Sequence, residues 1–142
     1  VNAKQLEEVI SIAKKKLGIL ESKKITILGT SFKPNTDDIR DSIAIELIKQ
    51  LLKRKVKVTV HDPKAIENTK NEFKKKINYA KSISDAILGS QCVIIMTQWK
   101  QYEKLANNDF KQMKKGLIID CRRMLAEKQL DVDYYAIGLG KK

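Results

Sequence analysis

Apolar residues recur at Leu6, Val9, Ile10, Ala13 and Leu17, spacings that line one face of a helix at about 3.6 residues per turn. Asn2 followed by Gln5 has the form of a capping box, and Gly18 is a suitable stop. Beyond it the period shortens to that of strands. Lys24 to Leu28 is a β-branched run that meets Gly29, followed by a polar, basic turn from Thr30 to Arg40. Ala44, Leu47, Ile48, Leu51 and Leu52 support a helix from about Ser42 to Arg54. A second strand, Val56 to Val60, is broken by Asp62 and Pro63. The three elements form a βαβ unit, which implies parallel strands and a right-handed crossover.

The alternation continues less cleanly. Helices are predicted at Ala65 to Lys75 and Ser84 to Leu88, with a short strand around Ile77 to Tyr79 between them. Cys92 to Thr97 is almost continuously apolar, as expected where both faces of a parallel sheet are covered. A short helix at Asp109 to Lys114, a strand at Leu117 to Ile119 and an edge strand at Tyr135 to Ile137 complete the pattern. The fold class is α/β: a doubly wound, Rossmann-like, mostly parallel sheet with helices on both faces.

A chain of 142 residues buries roughly two-thirds of the surface it exposes when unfolded, enough for one globular core. Hydrophobic content of 42% and charged content of 32% exclude a disordered or fibrous chain. No apolar run approaches the roughly 18 residues that span a bilayer, and no signal-peptide pattern opens the sequence, so the expected location is cytoplasmic with no membrane partner. Cys92 and Cys121 lie in strand-like apolar runs without metal-site spacing and read as buried thiols. His61, the single histidine, reads as a residue near a strand end. The formal charge of +12 is spread over every predicted helix and turn without interleaved aromatics, which favours a solvated surface over a nucleic-acid groove.

In open parallel sheets ligands bind beyond the carboxyl ends of the strands, where strand order reverses. The loops after Leu28, Met96 and Ile119 are therefore the ones that carry chemistry. The first runs from Gly29 to Arg40, with one glycine where a dinucleotide fingerprint has three. It offers Lys33 and Arg40 as cations for phosphate oxygens, with Asp37 and Asp38 to orient them. A solvated turn explains the same residues equally well. Trp99 follows the fourth long strand, and a packing role with its N–H satisfied at the rim is favoured over ligand contact. Asp120-Cys121-Arg122-Arg123 brings further cations to the same edge.

The run GTSFKPNTDDIRDS from Gly29 to Ser42 resembles the G-x-x-FK-x-x-TDD-x-R-x-S signature of the UDP-glucose/GDP-mannose dehydrogenase family. His61-Asp62-Pro63, Thr97-Gln98-Trp99 and Asp120-Cys121-Arg122 resemble, in order, its aromatic-Asp-Pro, T-E-W and D-G-R. Gln98 and Cys121 depart from the pattern, and Cys121 replaces a glycine beside Arg122. Position by position, the resemblance implies that Phe32, Lys33 and Arg122 bind the nucleotide sugar and that Arg40 contacts NAD across a domain interface. It implies no catalytic residue here, because the NAD-binding half and the catalytic cysteine lie upstream in the family and neither Cys92 nor Cys121 matches that nucleophile.

Residues 1–20 resemble the end of the helix that connects the two halves, and residues 21–142 the nucleotide-sugar (UDP)-binding domain, most like that of UDP-glucose 6-dehydrogenases. The implied activity of an intact enzyme is oxidation of UDP-glucose to UDP-glucuronate with two NAD, through a thiohemiacetal and a thioester, in polysaccharide biosynthesis. This part alone is expected to bind UDP-glucose or a relative without turnover. A homodimer is expected of the intact enzyme, and Leu6, Val9, Ile10 and Ala13 are expected to form an apolar patch when the other half is absent. The alternatives are a nucleic-acid or polyanion-binding module and a non-catalytic nucleotide-sensing domain.

Overall fold

A computed structural model of the chain describes residues 3–114 and 116–137. Helix α1 (Ala3–Leu17) ends at Gly18, whose φ of +77° lies in the left-handed region and whose N–H bonds to the Lys14 carbonyl at 2.8 Å. Asn2, the first member of the expected capping box, lies outside the described residues. The chain continues through β1 (Lys24–Leu28), α2 (Ile43–Lys53), β2 (Lys57–His61), α3 (Ile66–Phe73) and β3 (Asn78–Tyr79). It then passes through α4 (Ile83–Ile87), β4 (Cys92–Ile95), α5 (Lys100–Glu103), β5 (Leu117–Asp120) and β6 (Asp133–Ala136).

The strands form one sheet in the order β3-β2-β1-β4-β5-β6, with every adjacent pair parallel. Ile25 lies opposite Val58 on one side and Cys92 on the other, so β1 and β4 form the centre. Alternate residues of each strand serve opposite faces. Ile25, Ile27, Val58, Val60, Cys92, Ile94, Leu117 and Ile119 join a first core that includes the apolar sides of α1 and α2. Leu28, Val93, Ile95 and Ile118 join a second with Ala86, Ile87, Trp99, Tyr102 and Phe110.

Right-handed crossovers explain how these layers divide. The chain steps one way from β1 to β3 and the other way from β4 to β6, so the connecting helices of the two halves fall on opposite faces. Half of the α2 face, over β4 to β6, is left without a crossover helix. Helix α1 fills it. Val9, Ile10, Ala13 and Leu17 are buried in the first core, and Lys16 reaches Asp133 of β6 at 4.0 Å and lies 5.3 Å from the centre of the Tyr135 ring. The expected apolar patch is therefore not exposed: Ala13 is 0% and Val9 1% accessible, because the chain's own sheet covers them.

Several boundaries differ from the sequence expectation, the strand expected at 92–97 ending at Ile95 among them. The 65–75 helix stops at Phe73, because Lys74 turns left-handed at φ +53°. The helix expected at 109–114 is a 3₁₀ turn at Asn107–Phe110, closed by the Asp109 carboxylate accepting the Ala106 N–H at 2.8 Å. The last strand starts at Asp133 and pairs in parallel with β5 at the sheet's edge. Helix α5 was not anticipated: four residues are too few for a periodic signal.

Candidate functional site

Strand order reverses between β1 and β4, and the loops that follow β1, β4 and β5 leave from the same edge of the sheet. At the head of the first loop Gly29 has φ +98°, and a Cβ built there would stand 2.5 Å from the Thr97 side chain and 2.8 Å from its backbone nitrogen. This glycine lets two loops pack together. Its backbone is closed to the near approach by which dinucleotide-binding glycines meet a pyrophosphate.

The next residues are fixed by a buried carboxylate. Asp62, at the end of β2, accepts five hydrogen bonds: Oδ2 from the Thr30 N–H, the Ser31 N–H and the Ser31 hydroxyl, and Oδ1 from the N–H groups of Lys64 and Ala65. One side chain thus ties the first loop to the start of α3. Backbone donors compensate the desolvation of its charge. From the β4 side, the Thr97 hydroxyl donates to the Ser31 carbonyl at 3.0 Å and Trp99 Nε1–H to the Ser31 hydroxyl at 3.1 Å. The packing role expected of Trp99 is the one observed.

Immediately beyond this anchorage the loop opens to solvent. Phe32 is 47% exposed, an unusual position for a large apolar ring, and Lys33 beside it is exposed as well. The Phe32 N–H returns to the Asp38 carbonyl at 2.7 Å, which closes the loop. Asp38 grips Arg40 in bidentate fashion, with Nε on Oδ1 at 3.0 Å and a terminal nitrogen on Oδ2 at 2.9 Å. The guanidinium, with Lys33 adding a smaller attraction, draws the Asp38 carboxyl down to about 2. Arg40 and Asp38 line a groove of about 510 Å³ with Thr36, Asp37, Ile39 and Asn68. A groove of about 480 Å³ runs along α1 from Ala3 to Lys14 and is bounded on α2 by Gln50 and Arg54.

Arg122 leaves from the end of β5. Its Nε–H donates to the Met96 carbonyl at 3.1 Å, which holds the guanidinium against the end of β4, next to the reversal. Asp120, fully buried, shapes this loop as Asp62 shapes the first: Oδ1 accepts the Arg122 N–H, and Oδ2 the Leu125 N–H and the Tyr134 hydroxyl. The loop's left-handed residue is Arg123, at φ +58°, and Cys121 lies outside that region, so replacing the family's glycine by Cys121 puts no such strain on the backbone. Burial pushes the Cys121 thiol up to about 12, and both thiols are free. Among the described residues no group of three His, Cys, Asp or Glu has the geometry to hold a metal.

The structure brings Phe32, Lys33 and Arg40 together on one short loop and places Arg122 on a separate loop at the same edge. Sequence reasoning missed Ser31, Asp120 and Tyr134 as the residues that organise these loops. It met Asp62 as a strand breaker and as a member of the His61-Asp62-Pro63 motif, without seeing that its carboxylate anchors the first loop. An Asp-Pro directly after a strand was a usable signal, since Asp accepts backbone N–H groups at turns and helix starts. Ser31 carries no such signal in sequence.

Residues 26–127 match the model of the UDP-glucose/GDP-mannose dehydrogenase family, UDP binding domain. The UDP-glucose 6-dehydrogenase AglM of Haloferax volcanii is 34% identical over 137 residues, covering 96% of this chain and 31% of that protein. The corresponding YwqF of Bacillus subtilis is 33% identical over 144 residues, covering 97% and 32%. The chain thus spans under a third of the length of these relatives. A UDP-glucose dehydrogenase structure from Pyrobaculum islandicum superposes with a TM-score of 0.80 at 29% identity, over 94% of this chain and 29% of that one. With the parallel six-stranded sheet, the ordered loop motifs and these matches in agreement, the chain belongs to the UDP-glucose/GDP-mannose dehydrogenase family, in its UDP binding domain.

Proposed function

We propose that this chain is the substrate-binding, C-terminal part of a cytoplasmic nucleotide-sugar 6-dehydrogenase that, when intact, oxidises UDP-glucose to UDP-glucuronate with two NAD and works as a homodimer. The observation that carries the reading is the loop of Phe32 and Lys33, held on Asp62 beside the strand reversal, with Arg122 fastened to Met96 on the same edge. Lys33 and Arg122 supply cations for a diphosphate and Phe32 an apolar face for the ligand. The two free, buried thiols agree with a reducing compartment.

NAD, when bound, takes up hydride in each of the two oxidations. Gly29 is committed to packing on Thr97, so the described residues fit a peripheral contact to that cofactor better than its main site. Arg40 suits such a contact: its side chain is 87% exposed and already oriented by Asp38. This domain by itself binds and does not oxidise.

Calorimetric titration with UDP-glucose, UDP, GDP-mannose and a short DNA duplex tests the reading. Saturable uridine-nucleotide binding, weakened by Lys33→Ala, is the expected result. Salt-sensitive binding of DNA with no nucleotide preference would overturn it in favour of a polyanion-binding module. NADH formed at enzyme-like rates from UDP-glucose and NAD would refute the claim that this part does not turn over.

A further inference from the structure

We propose that Ser31 is the positioning residue of the nucleotide-sugar edge, fixing where Phe32 and Lys33 emerge and linking them to the Trp99 indole. The proposal rests on the reading of this edge as the nucleotide-sugar site. In the motif running from Gly29 to Phe32 and Lys33, position 31 is one the family pattern leaves open, so the role follows from this structure alone.

Every polar group of Ser31 is engaged. Its N–H and its hydroxyl both donate to Asp62 Oδ2 at 2.9 Å, its hydroxyl oxygen accepts Trp99 Nε1–H at 3.1 Å, and its carbonyl accepts the Thr97 hydroxyl at 3.0 Å. Asp62 follows β2 while Thr97 and Trp99 follow β4, the two neighbours of β1. Ser31 is therefore clamped from both sides of the strand that delivers it.

Its own accessibility is 3%, and the next residue is 47% exposed. The chain passes from a fully bonded residue to a free side chain across a single peptide unit, which spans about 3.8 Å. An error in the position of Ser31 is passed on to Phe32 and Lys33. Without the hydroxyl, Asp62 loses one donor, the indole N–H loses its acceptor, and the ligand must order a looser loop when it binds.

Trp99 is the chain's only tryptophan, so its emission reports on this junction alone. Titration of the wild-type chain with UDP-glucose is expected to change Trp99 emission. Ser31→Ala is expected to weaken UDP-glucose binding about tenfold and to abolish most of the emission change, with melting curves showing both proteins folded at the assay temperature. A residue of merely structural importance would lower the melting temperature and leave the affinity of the folded protein intact.

Trp99→Phe, which keeps an aromatic ring and removes the N–H, is expected to weaken binding in calorimetry in the same direction, and provides the test should Ser31→Ala fail to fold. Equal affinity in the wild type and the folded variant, or ligand binding with unchanged Trp99 emission, overturns the role of Ser31 and leaves the site standing. Failure of the wild-type chain to bind UDP-glucose overturns both.

Discussion

His61 and Tyr102 bond to each other twice: His61 Nδ1 lies 2.8 Å from the Tyr102 hydroxyl, which in turn lies 3.1 Å from the His61 carbonyl. A phenol has one proton, so both contacts are satisfied when Nδ1–H donates to the phenol and the phenol donates to the carbonyl. The arrangement thus places a proton on Nδ1. Burial pulls the pKa of His61 below the ordinary 6.5, against a smaller opposing attraction from Asp62.

The pH consequence has a definite sign. A histidine with a depressed folded pKa binds more protons when unfolded, so stability is fully present above the unfolded value and is lost as pH falls below about 6.5. Because His61 is the only histidine, a drop in melting temperature between about pH 6.5 and pH 5 is expected in the wild type and should be much smaller in His61→Gln. The Asp38 carboxyl, held near 2 by Arg40, keeps its contribution across this window and loses it only as pH falls below about 4. Identical pH profiles for the two proteins would contradict the assignment.

Gly29 and Gly18 both lie at positive φ, and they should respond differently to alanine. Nothing lies within 4 Å of where a Cβ on Gly18 would stand, so Gly18→Ala meets only the left-handed penalty, about 1 kcal/mol. Gly29→Ala meets the same penalty and drives a methyl into Thr97 at 2.5 Å, for a loss of about 3 kcal/mol. Urea denaturation of the two variants measures the gap.

A chain starting at residue 21 lacks Val9, Ile10, Ala13 and Leu17 and uncovers the α2 face over β4 to β6. Loss of a cooperative melting transition and gain of binding by a hydrophobic dye are expected. A truncated chain with an unchanged melt would show that α1 is a connector and the domain ends with the sheet.

Arg122 makes a contact that lysine cannot reproduce. Arg122→Lys keeps the charge and loses both the Nε–H that donates to Met96 and the planar fork. UDP-glucose affinity is expected to fall about tenfold, with little change in thermal stability, since the residue is only part-buried. Calorimetry at fixed ionic strength reads the difference.

The sheet was legible because its strands carry their burial in their composition. Cys92 to Ile95 is fully buried and apolar throughout, and the β-branched stretch at Lys24 to Leu28 is buried from Ile25 onward. The reach of single side chains was not legible. Ser31 and Asp62 are 31 positions apart, Ser31 and Trp99 are 68 apart, and nothing local to either member announces the pair. The same blindness made α1 look like an unpartnered helix: its periodicity shows an apolar face, while the strands that cover it lie at the other end of the chain. The placements of Phe32, Lys33, Arg40 and Arg122 at one edge followed from counting strands, whereas what each of them binds is a matter for the titrations.

The packing of α1 beside β6 also sets an order of events. Lys16 meets Asp133 and Tyr135, so the closing contact joins the first helix of the sequence to its last strand across well over a hundred residues. Such a loop is slow to close. On the ribosome α1 is made before β6 and must wait for it, and its apolar side stays uncovered until the strands have followed, a period in which a chaperone or a neighbouring chain has the first opportunity to occupy it.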